Sequence, residues 1–249
     1  FIDGFVFLMA GENSGSDLSL PYLAFYGDWS AAPVLDGLFI DGDSAHYMRS
    51  SYVYSASNSY YYLGQNVFNG AYGIDPDKYV ISADSMAQIF AELGTVTGML
   101  RNADQVTYTV TQKDTGRVMQ QDVFRQVKKS YYFVNAGVVT YAEAFLPYAP
   151  TFSGLDSSGR EIAEGWYTFT IAATRPGSQE LDTWTFDFYY DTTPPKLEHA
   201  EIVGETGQQT LVLHLSDNHY LSAVQLVTSE GKALKTFTCL LYTSPSPRD

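Results

Sequence analysis

The sequence predicts an all-β protein made of tandem β-sandwiches. Three observations support this fold class: short apolar segments alternate with Thr and Tyr, Gly/Asn/Asp/Ser turns separate them, and the proline pair in "DTTPPK" marks a boundary. The chain has 249 residues, 45% hydrophobic and 17% charged, which is enough for one large or about two ordinary domains. Disorder is therefore not expected.

Residues 1–31 are predicted to form a hairpin. "FIDGFVFLMA" and "LSLPYLAFYGDW" have the composition of strands, and "GENSGSD" is typical of the turn between them. An isolated hairpin is marginal in water, so we expect its partner strands to lie outside this sequence. The first residue is Phe1, with no charged signal-peptide segment after it, and the chain is interpreted as an internal fragment.

Residues 32–105 carry many turn-forming residues around Tyr runs, which favours short strands and long connections. One helix is predicted at residues 84–94, "DSMAQIFAELG", where Met86, Ile89, Phe90 and Leu93 recur at helical spacing. Asp84 or Ser85 would begin this helix and Gly94 would end it.

From residue 106 onward the period-2 pattern is clear. Val106, Tyr108 and Val110 share one face before a turn at residues 114–116, which predicts a hairpin. Further strands are predicted at residues 166–173 and 183–190, on either side of a Pro-Gly turn.

The segment "DTTPPK" is predicted to be an extended linker, since consecutive prolines fix φ and remove ladder donors. After it, "TLVLHLSDN" is a strand of a new module. Residues 239–249, "CLLYTSPSPRD", follow the strand pattern without a turn signal and do not continue the domain pattern. They are interpreted as the translation of a sequencing-adapter read-through.

Charge and composition exclude several classes of partner. A net charge of −14 without a Lys/Arg cluster disfavours nucleic acid and anionic lipid. No apolar run approaches the ~20 residues that span a bilayer, so no membrane insertion is predicted for this segment. The single Cys excludes an internal disulfide and a zinc site built from Cys.

Candidate catalytic and metal-binding motifs are weak. His46, His199, His214 and His219 show no metal-ligand spacing. The protease-like triplet at residues 114–116, Asp-Thr-Gly, lies between alternating strands and is interpreted as a turn. Ser85-Met86-Ala87 is similar to the surroundings of a subtilisin nucleophile but lacks the preceding Gly-Thr. No catalytic residue is predicted.

Two acidic loops and the tyrosine runs are candidates for ligand binding. Asp41 with Asp43, and Asp75 with Asp77, lack the full ligand ladder of a calcium loop and are interpreted as turns, so no cofactor or metal is predicted. Tyr runs at residues 60–62, 131–132 and 189–190 could form a stacking platform. Because neighbouring strand residues point to opposite faces, each pair is expected to place one ring in the core and one outward.

Six segments, in order, resemble a known arrangement: "FIDGFVFL", "DLSLPYLAFYGDWSAAPVLD", "MLRNADQVTYTV", "GREIAEGWYTFTIAA", "DTTPPKL" and "LHLSDNHYLSAVQLV". They are similar to the fibronectin type III-like region of cell-envelope subtilisin-like serine proteases, the C5a peptidase and lactocepin family. The resemblance spans residues 1–238, and Leu-Pro-Tyr-x-x-Phe-Tyr-Gly-Asp-Trp is its most specific motif.

The resemblance implies a domain plan. Residues 1–31 would be the closing strands of a first sandwich, residues 32–193 a second, enlarged sandwich, and residues 194–238 the start of a third. The aromatic cluster Tyr22, Phe25, Tyr26 and Trp29 would then be an interdomain contact. Residues 83–86 replace a calcium-loop segment common in the family, so a structural calcium ion is not supported there, and the family runs extended where the pattern predicts a helix.

The resemblance also implies a function. The chain would be a non-catalytic scaffold and substrate-contact segment of an exported subtilisin-like endopeptidase, located at the cell wall or cell surface. Its partners would be the upstream protease domain of the same chain and extracellular protein substrates. The alternative is an adhesion or glycan-binding sandwich of a surface protein, because a sandwich fold alone does not determine function.

Overall fold

The computed structural model describes most of the chain. The described residues are 2–11, 15–28, 31, 33–37, 51–57, 61–67, 73–82, 89–143, 150–219, 221 and 223–237. In these ranges the fold is all-β, with fifteen strands, one short 3₁₀ turn and several sheets, which confirms the predicted fold class. No helix in this described part is long and apolar enough to cross a bilayer.

The strands have the following bounds. They are β1 Ile2–Leu8, β2 Leu18–Ala24, β3 Tyr52–Ser55, β4 Val80–Ser82, β5 Leu93–Val96, β6 Ala103–Gln112, β7 Val118–Val127, β8 Ser130–Asn135, β9 Val138–Glu143, β10 Gly165–Thr174, β11 Leu181–Asp191, β12 Lys196–Val203, β13 Thr210–Ser216, β14 Val224–Val227 and β15 Ala233–Phe237. The 3₁₀ turn is Pro76–Lys78.

The largest sheet has the strand order β4-β11-β10-β6-β7. All of its neighbours are antiparallel except β4, which runs parallel to β11. In the centre of the sheet Phe169 stands opposite Phe186 on one side and Val110 on the other. The alternation of apolar residues with Thr on β6 and β10 therefore places one apolar face and one Thr-rich face on the sheet.

The apolar face of this sheet forms the core together with a second layer. The second layer includes the small β3–β5 sheet and several loop positions, and its buried side chains are Val34, Leu35, Val53, Leu63, Leu93, Met99 and Phe152. Phe152 meets Phe188 of β11 edge-on at a ring-centroid distance of 5.6 Å. Burying one such aromatic side chain contributes about 1.5–3 kcal/mol, so the contact between layers supplies much of the driving force for folding.

In the described part of the chain, four hairpins lie outside the large sheet: β1–β2, β8–β9, β12–β13 and β14–β15. On β1–β2 the apolar side chains are open to solvent, with Phe5 60% exposed and Leu20 57% exposed. Because Val6 stands opposite Leu20 and Phe5 stands opposite Pro21, both faces of the ribbon present apolar groups. A two-stranded ribbon of this kind needs further packing partners to be stable.

The predicted helix at residues 84–94 is wrong in its described part. Residues 89–92 form turns and bends, and Leu93 begins strand β5, while residues 83–88 lie outside the described residues. Leu93 exchanges two backbone hydrogen bonds of 2.8 Å with Phe152 and is fully buried. These partners are distant in sequence, and they override the local helical spacing.

Gly94 lies in β5 rather than at a helix end. A Cβ there would come within 2.7 Å of the Tyr54 ring on the paired strand β3, so the glycine lets the ring lie across the strand. The predicted hairpin after residue 106 is confirmed as β6–β7. Val106, Tyr108 and Val110 are buried together, and Gly116 takes a positive φ of 69° in the turn that follows Asp114.

Two glycines in the loop before β10 allow a matched test of the core. Gly154 and Gly159 have φ of +78° and +76°, but only Gly154 lies against a side chain, the Tyr190 ring. We expect Gly159→Ala to cost about 1–2 kcal/mol for the left-handed backbone. Gly154→Ala should cost about 1–3 kcal/mol more because its Cβ overlaps the ring. Urea unfolding measures both, and equal costs would contradict the close packing at Gly154.

Candidate functional site: junctions at the two ends of one hairpin

The aromatic cluster predicted from sequence lies at the end of β2. Tyr22 lies across Gly4 on the paired strand and is 45% exposed. Phe25 and Tyr26 follow the strand and are 42% and 93% exposed. Trp29 lies outside the described residues. Surface as open as this is available for packing, and the interdomain role of the cluster stays a prediction.

A cluster of hydrogen bonds lies at the end of the β10–β11 hairpin where the proline linker leaves it. We name this the Glu164 junction and define it as Glu164, Tyr189, Thr192, Thr193, Asn218 and His219. Glu164 Oε2 accepts bonds from Thr192 N and Thr192 Oγ1, both 3.1 Å, and from Thr193 Oγ1 at 2.7 Å. Glu164 therefore holds the first residues of the linker against the sheet.

The other carboxylate oxygen of Glu164 reaches the loop after β13. Oε1 accepts a bond from the Tyr189 hydroxyl at 3.3 Å and another from Asn218 Nδ2. Asn218 lies just after β13, in the loop that follows the β12–β13 hairpin. One carboxylate thus joins the large sheet, the linker and the loop after β13, at residues that are up to 54 positions apart.

His219 adds an aromatic contact at the Glu164 junction. Its ring stacks on Tyr189 with centroids 4.0 Å apart and planes 8° apart, and it meets the edge of Trp166 at 5.4 Å. Trp166 and Tyr189 stand opposite each other on β10 and β11. Aromatic pairs in such geometries contribute about 0.5–1.5 kcal/mol beyond their buried area. The stack holds the loop after β13 against the outer face of the sheet.

The pKa shifts of Glu164 and Tyr189 determine which group is the donor and which the acceptor at this junction. Burial disfavours the charged form of Glu164, but the hydrogen bonds from Thr193, Thr192 and Tyr189 outweigh it and hold the Glu164 pKa below its usual value. Burial, with the neighbouring Glu164 carboxylate, raises the pKa of Tyr189 to about 12. At neutral pH Glu164 is therefore a charged acceptor and Tyr189 a neutral donor.

Asp191, at the end of β11, is a carboxylate whose charged form is disfavoured by its surroundings. Burial raises its pKa, and the nearby carboxylates of Asp217 and Glu164 raise it further, against a hydrogen bond from Thr193 N. The side chain is nevertheless buried, and it closes the turn into the linker. Its position shows that the hairpin end concentrates negative charge.

A second junction lies at the opposite end of the same hairpin. We name it the Arg175 junction and define it as Val34, Arg175, Glu180 and Asp182. Arg175 binds Asp182 Oδ1 through Nε at 3.0 Å and Nη2 at 2.6 Å, and it also pairs with Glu180 at 2.8 Å. Asp182 Oδ2 accepts the backbone N–H of Val34 at 2.5 Å. This pair attaches the backbone at Val34 to the β10–β11 turn.

Burial distinguishes the Arg175 pair from other ion pairs of the chain. The Arg175 and Asp182 side chains are 18% and 11% exposed. The hydrogen bond with Asp182 is the main cause that raises the Arg175 pKa, and Asp28, four residues after β2, contributes to the same effect. Strands of ten paired residues extend about 30 Å at about 3.4 Å per residue, which separates the two junctions.

The remaining residues singled out in the sequence are dispersed. Asp75 caps the 3₁₀ turn and pairs with Lys78 at 2.8 Å, as a turn residue does. His199 and His214 stand opposite each other on β12–β13 and near Glu201, and they are exposed. In the described ranges no group of three or more His, Cys, Asp or Glu side chains has the arrangement of a metal site. Asp41, Asp43, His46 and residues 85–87 lie outside those ranges.

The tyrosine pair on β11 is arranged as predicted. Tyr190 is buried in the core, and Tyr189 lies on the other face at the Glu164 junction. The sequence pattern does not indicate Glu164 or Asp182, and it assigns no role to His219. Antiparallel pairing of the strands predicted at residues 166–173 and 183–190 would place Glu164 beside the proline linker. No local sequence pattern indicates that Asn218 and His219 contact this site.

Comparisons with known proteins find distant relatives over nearly the whole chain. A PII-type proteinase of Lactococcus lactis subsp. cremoris is 22% identical over 247 residues, a PI-type proteinase of the same organism 21%, and a PII-type proteinase of Lacticaseibacillus paracasei 22%. The chain resembles one region of these proteinases. Each alignment covers 96% of this chain but only 13% of the relative. No protein-family model matches the sequence.

Removing the charge at the Glu164 junction should weaken the fold. We expect Glu164→Gln to cost about 1–2 kcal/mol at pH 7, because bonds to a charged acceptor are replaced by bonds to a neutral amide. Urea unfolding followed by Trp fluorescence measures the change. Glu205→Gln, in the exposed β12–β13 turn, is the matched control and should leave stability unchanged.

The same variant should show a weaker pH dependence. The folded pKa of Glu164 lies below its unfolded value, so its contribution is present above the unfolded pKa of about 4.3 and is lost as the pH falls through the folded pKa. Unfolding of the unaltered chain should therefore become easier below about pH 4.3, and by more than in Glu164→Gln. Identical pH profiles would contradict this role.

At the Arg175 junction, burial should decide the effect of losing a cation. We expect Arg175→Ala to lower stability clearly, since it leaves the Asp182 side chain, which is only 11% exposed, without its charged partner. Arg160 makes a similar pair with Asp156 but is 70% exposed, so Arg160→Ala should change stability by about 0.5 kcal/mol or less. Urea unfolding compares the two variants, and equal effects would contradict the burial argument.

Proposed function

We propose that the chain is a non-catalytic spacer and substrate-contact segment of an exported, cell-envelope subtilisin-like serine endopeptidase. The similarity to PI-type and PII-type proteinases supports a proteinase-related role, and the 13% coverage of those relatives leaves most of their length for other functions. The catalytic residues of the parent protein would lie in an upstream domain. This chain would hold that domain in position.

The observation that carries the proposal is the pair of junctions on one hairpin. The Arg175 junction ties the start of the central sandwich to the β10–β11 turn, and the Glu164 junction ties the following module to the other end. A hairpin whose core face is fully buried is a stiff element. The Glu164 junction gives the module after the linker a defined orientation on the central sandwich, which a flexible linker would not provide. The Arg175 junction braces the other end of the hairpin that carries it.

The described histidines contact acidic and aromatic side chains. His199 and His214 approach Glu201, and His219 contacts the rings of Trp166 and Tyr189. None of these contacts joins an imidazole to a Ser hydroxyl, as a Ser-His-Asp triad requires. A surface with a net charge of −14 is suited to contact with basic segments of protein substrates, away from the cleavage site.

The domain plan belongs to the same proposal. Residues 1–31 close a first fibronectin type III-like sandwich, residues 32–193 form the second and residues 194–238 begin the third. The exposed apolar faces of β1–β2 support the first assignment, since they need partner strands. Tyr22, Phe25, Tyr26 and Trp29 would contact the neighbouring module, and the parent protein would act at the cell wall or cell surface.

The source DNA gives the decisive test. We expect the reading frame over the ~400 residues before Phe1, more than one typical domain, to encode the Asp, His and Ser segments of a subtilisin-like domain. The chain by itself should not hydrolyse peptides, whereas the complete protein should. An upstream region made only of further sandwiches would overturn the proposal and leave adhesion or glycan binding as the function.

A further inference from the structure

We propose that protonation of His219 releases the loop of residues 217–219 from the β10–β11 hairpin, so that acidification loosens the connection between the central sandwich and the module after it. This inference concerns regulation of the Glu164 junction and rests on the proposed spacer function. It assigns a pH response to one histidine of the next module. The other described histidines, His199 and His214, lie on the exposed β12–β13 hairpin and do not contact the junction.

The geometry favours the neutral imidazole. His219 lies flat on Tyr189 at 4.0 Å between ring centroids, with Trp166 edge-on at 5.4 Å, and is half-buried. A neutral ring packs well between aromatic groups, whereas an imidazolium needs hydration that this stack removes. The contact also replaces water on the Tyr189 face. The same packing that holds the loop therefore makes protonation costly.

The charged groups around His219 do not reverse this preference. Burial lowers the His219 pKa, while Asp217 on its own loop and Glu164 before β10 act in the opposite direction and only partly compensate. Tyr189 is neutral at these pH values, because its pKa is raised to about 12. On the far side, Lys113 lies 5.8 Å from the Trp166 ring and pairs with Asp187.

The sign of the pH effect follows from the lowered pKa. A histidine whose folded pKa is below its unfolded value stabilises the folded arrangement at pH values above about 6.5. That contribution is lost as the pH falls through the folded pKa. Glu164 keeps its charge to lower pH than a free carboxyl, so it does not cause a change in this range. Asp191 has a raised pKa, and its protonation acts in the opposite sense by relieving repulsion with Asp217 and Glu164.

The release can spread because adjacent residues carry these contacts between the loop after β13 and the hairpin end. Among the described residues, the contacts include the His219 stack and hydrogen bonds from the Asn218 side chain to Glu164 and to Asp191. Asp217 Oδ1 accepts the His219 backbone N–H at 2.9 Å, which makes these residues one turn. Movement of the charged ring toward water would displace Asn218 with it.

Distance measurements between two spin labels test the proposal on the full chain. The labels are placed by Asp114→Cys in the β6–β7 turn and Gln208→Cys in the β12–β13 turn, in a Cys239→Ser background. At pH 7.5 we expect one narrow distance distribution, and at pH 5 a distribution at least twice as wide. His219→Phe keeps an aromatic stack without a titrating group and should stay narrow at both pH values. His214→Asn, the matched control, should respond to pH as the unaltered protein does.

The outcomes separate the two proposals. A broad distribution at pH 7.5 would overturn the spacer function. A distribution that is narrow at both pH values in the protein with His219 would overturn the pH response and leave the spacer function intact. The pH response would also be overturned, with the spacer function intact, if the distance distribution of His219→Phe broadens at pH 5 as much as that of the protein with His219.

Proton NMR of the unlabelled chain gives a second measurement that does not depend on a variant. The His219 ring protons should show the upfield ring-current shift of the Tyr189 stack at pH 7.5. They should titrate below the ordinary histidine pKa of about 6.5 and lose that shift with the same midpoint. Protonation of His219 without loss of the ring-current shift would overturn the proposal.

Discussion

The pairing of β10 with β11 is the constraint on which the rest of the structure depends. β10 lies in the middle of the large sheet, and its inward side chains, Tyr167, Phe169, Ile171 and Ala173, are essentially inaccessible to solvent. The register places Gly165 opposite Tyr190 and Thr174 opposite Leu181. A slip by one residue would turn every apolar side chain of one strand to the wrong face. The core therefore fixes the register, and the register fixes which residues stand at the two ends of the hairpin.

The two junctions use polar contacts where the core uses apolar ones, and this difference has consequences for dynamics. Contacts between domains within one chain resemble transient interfaces, which are more polar than a core. Glu164 and Arg175 each gather several hydrogen bonds at a strand end, where partial exposure leaves the charged groups some hydration. Each junction lies at a strand end and is partly exposed, so it opens at a lower free-energy cost than the buried core of the sheet.

Local pattern identified the parts of the fold whose partners are near in sequence. The alternation on β6, β10 and β11 gave the strands and their buried faces, because a half-buried strand leaves a period of two in its residues. The same reasoning failed at residues 89–94, where the pairing of β5 with β3 and the bonds to Phe152 decide the structure. The Glu164 junction could not be predicted for a related reason. Glu164 and its donor Asn218 are 54 residues apart, and a contact at that separation produces no periodic pattern in the sequence.

The β1–β2 ribbon shows how register refines the proposal for the aromatic cluster. Tyr22 stands opposite Gly4 and shares its face with Val6 and Leu20, while Phe5 occupies the other face. A sandwich strand with one solvent face alternates apolar and polar residues, whereas a strand covered on both sides is apolar throughout. Within the proposed first sandwich, Tyr22 would therefore belong to the face that meets the partner sheet. Phe25 and Tyr26 follow the end of β2 and would carry the contact with the central sandwich, on the side where Asp28 approaches Arg175.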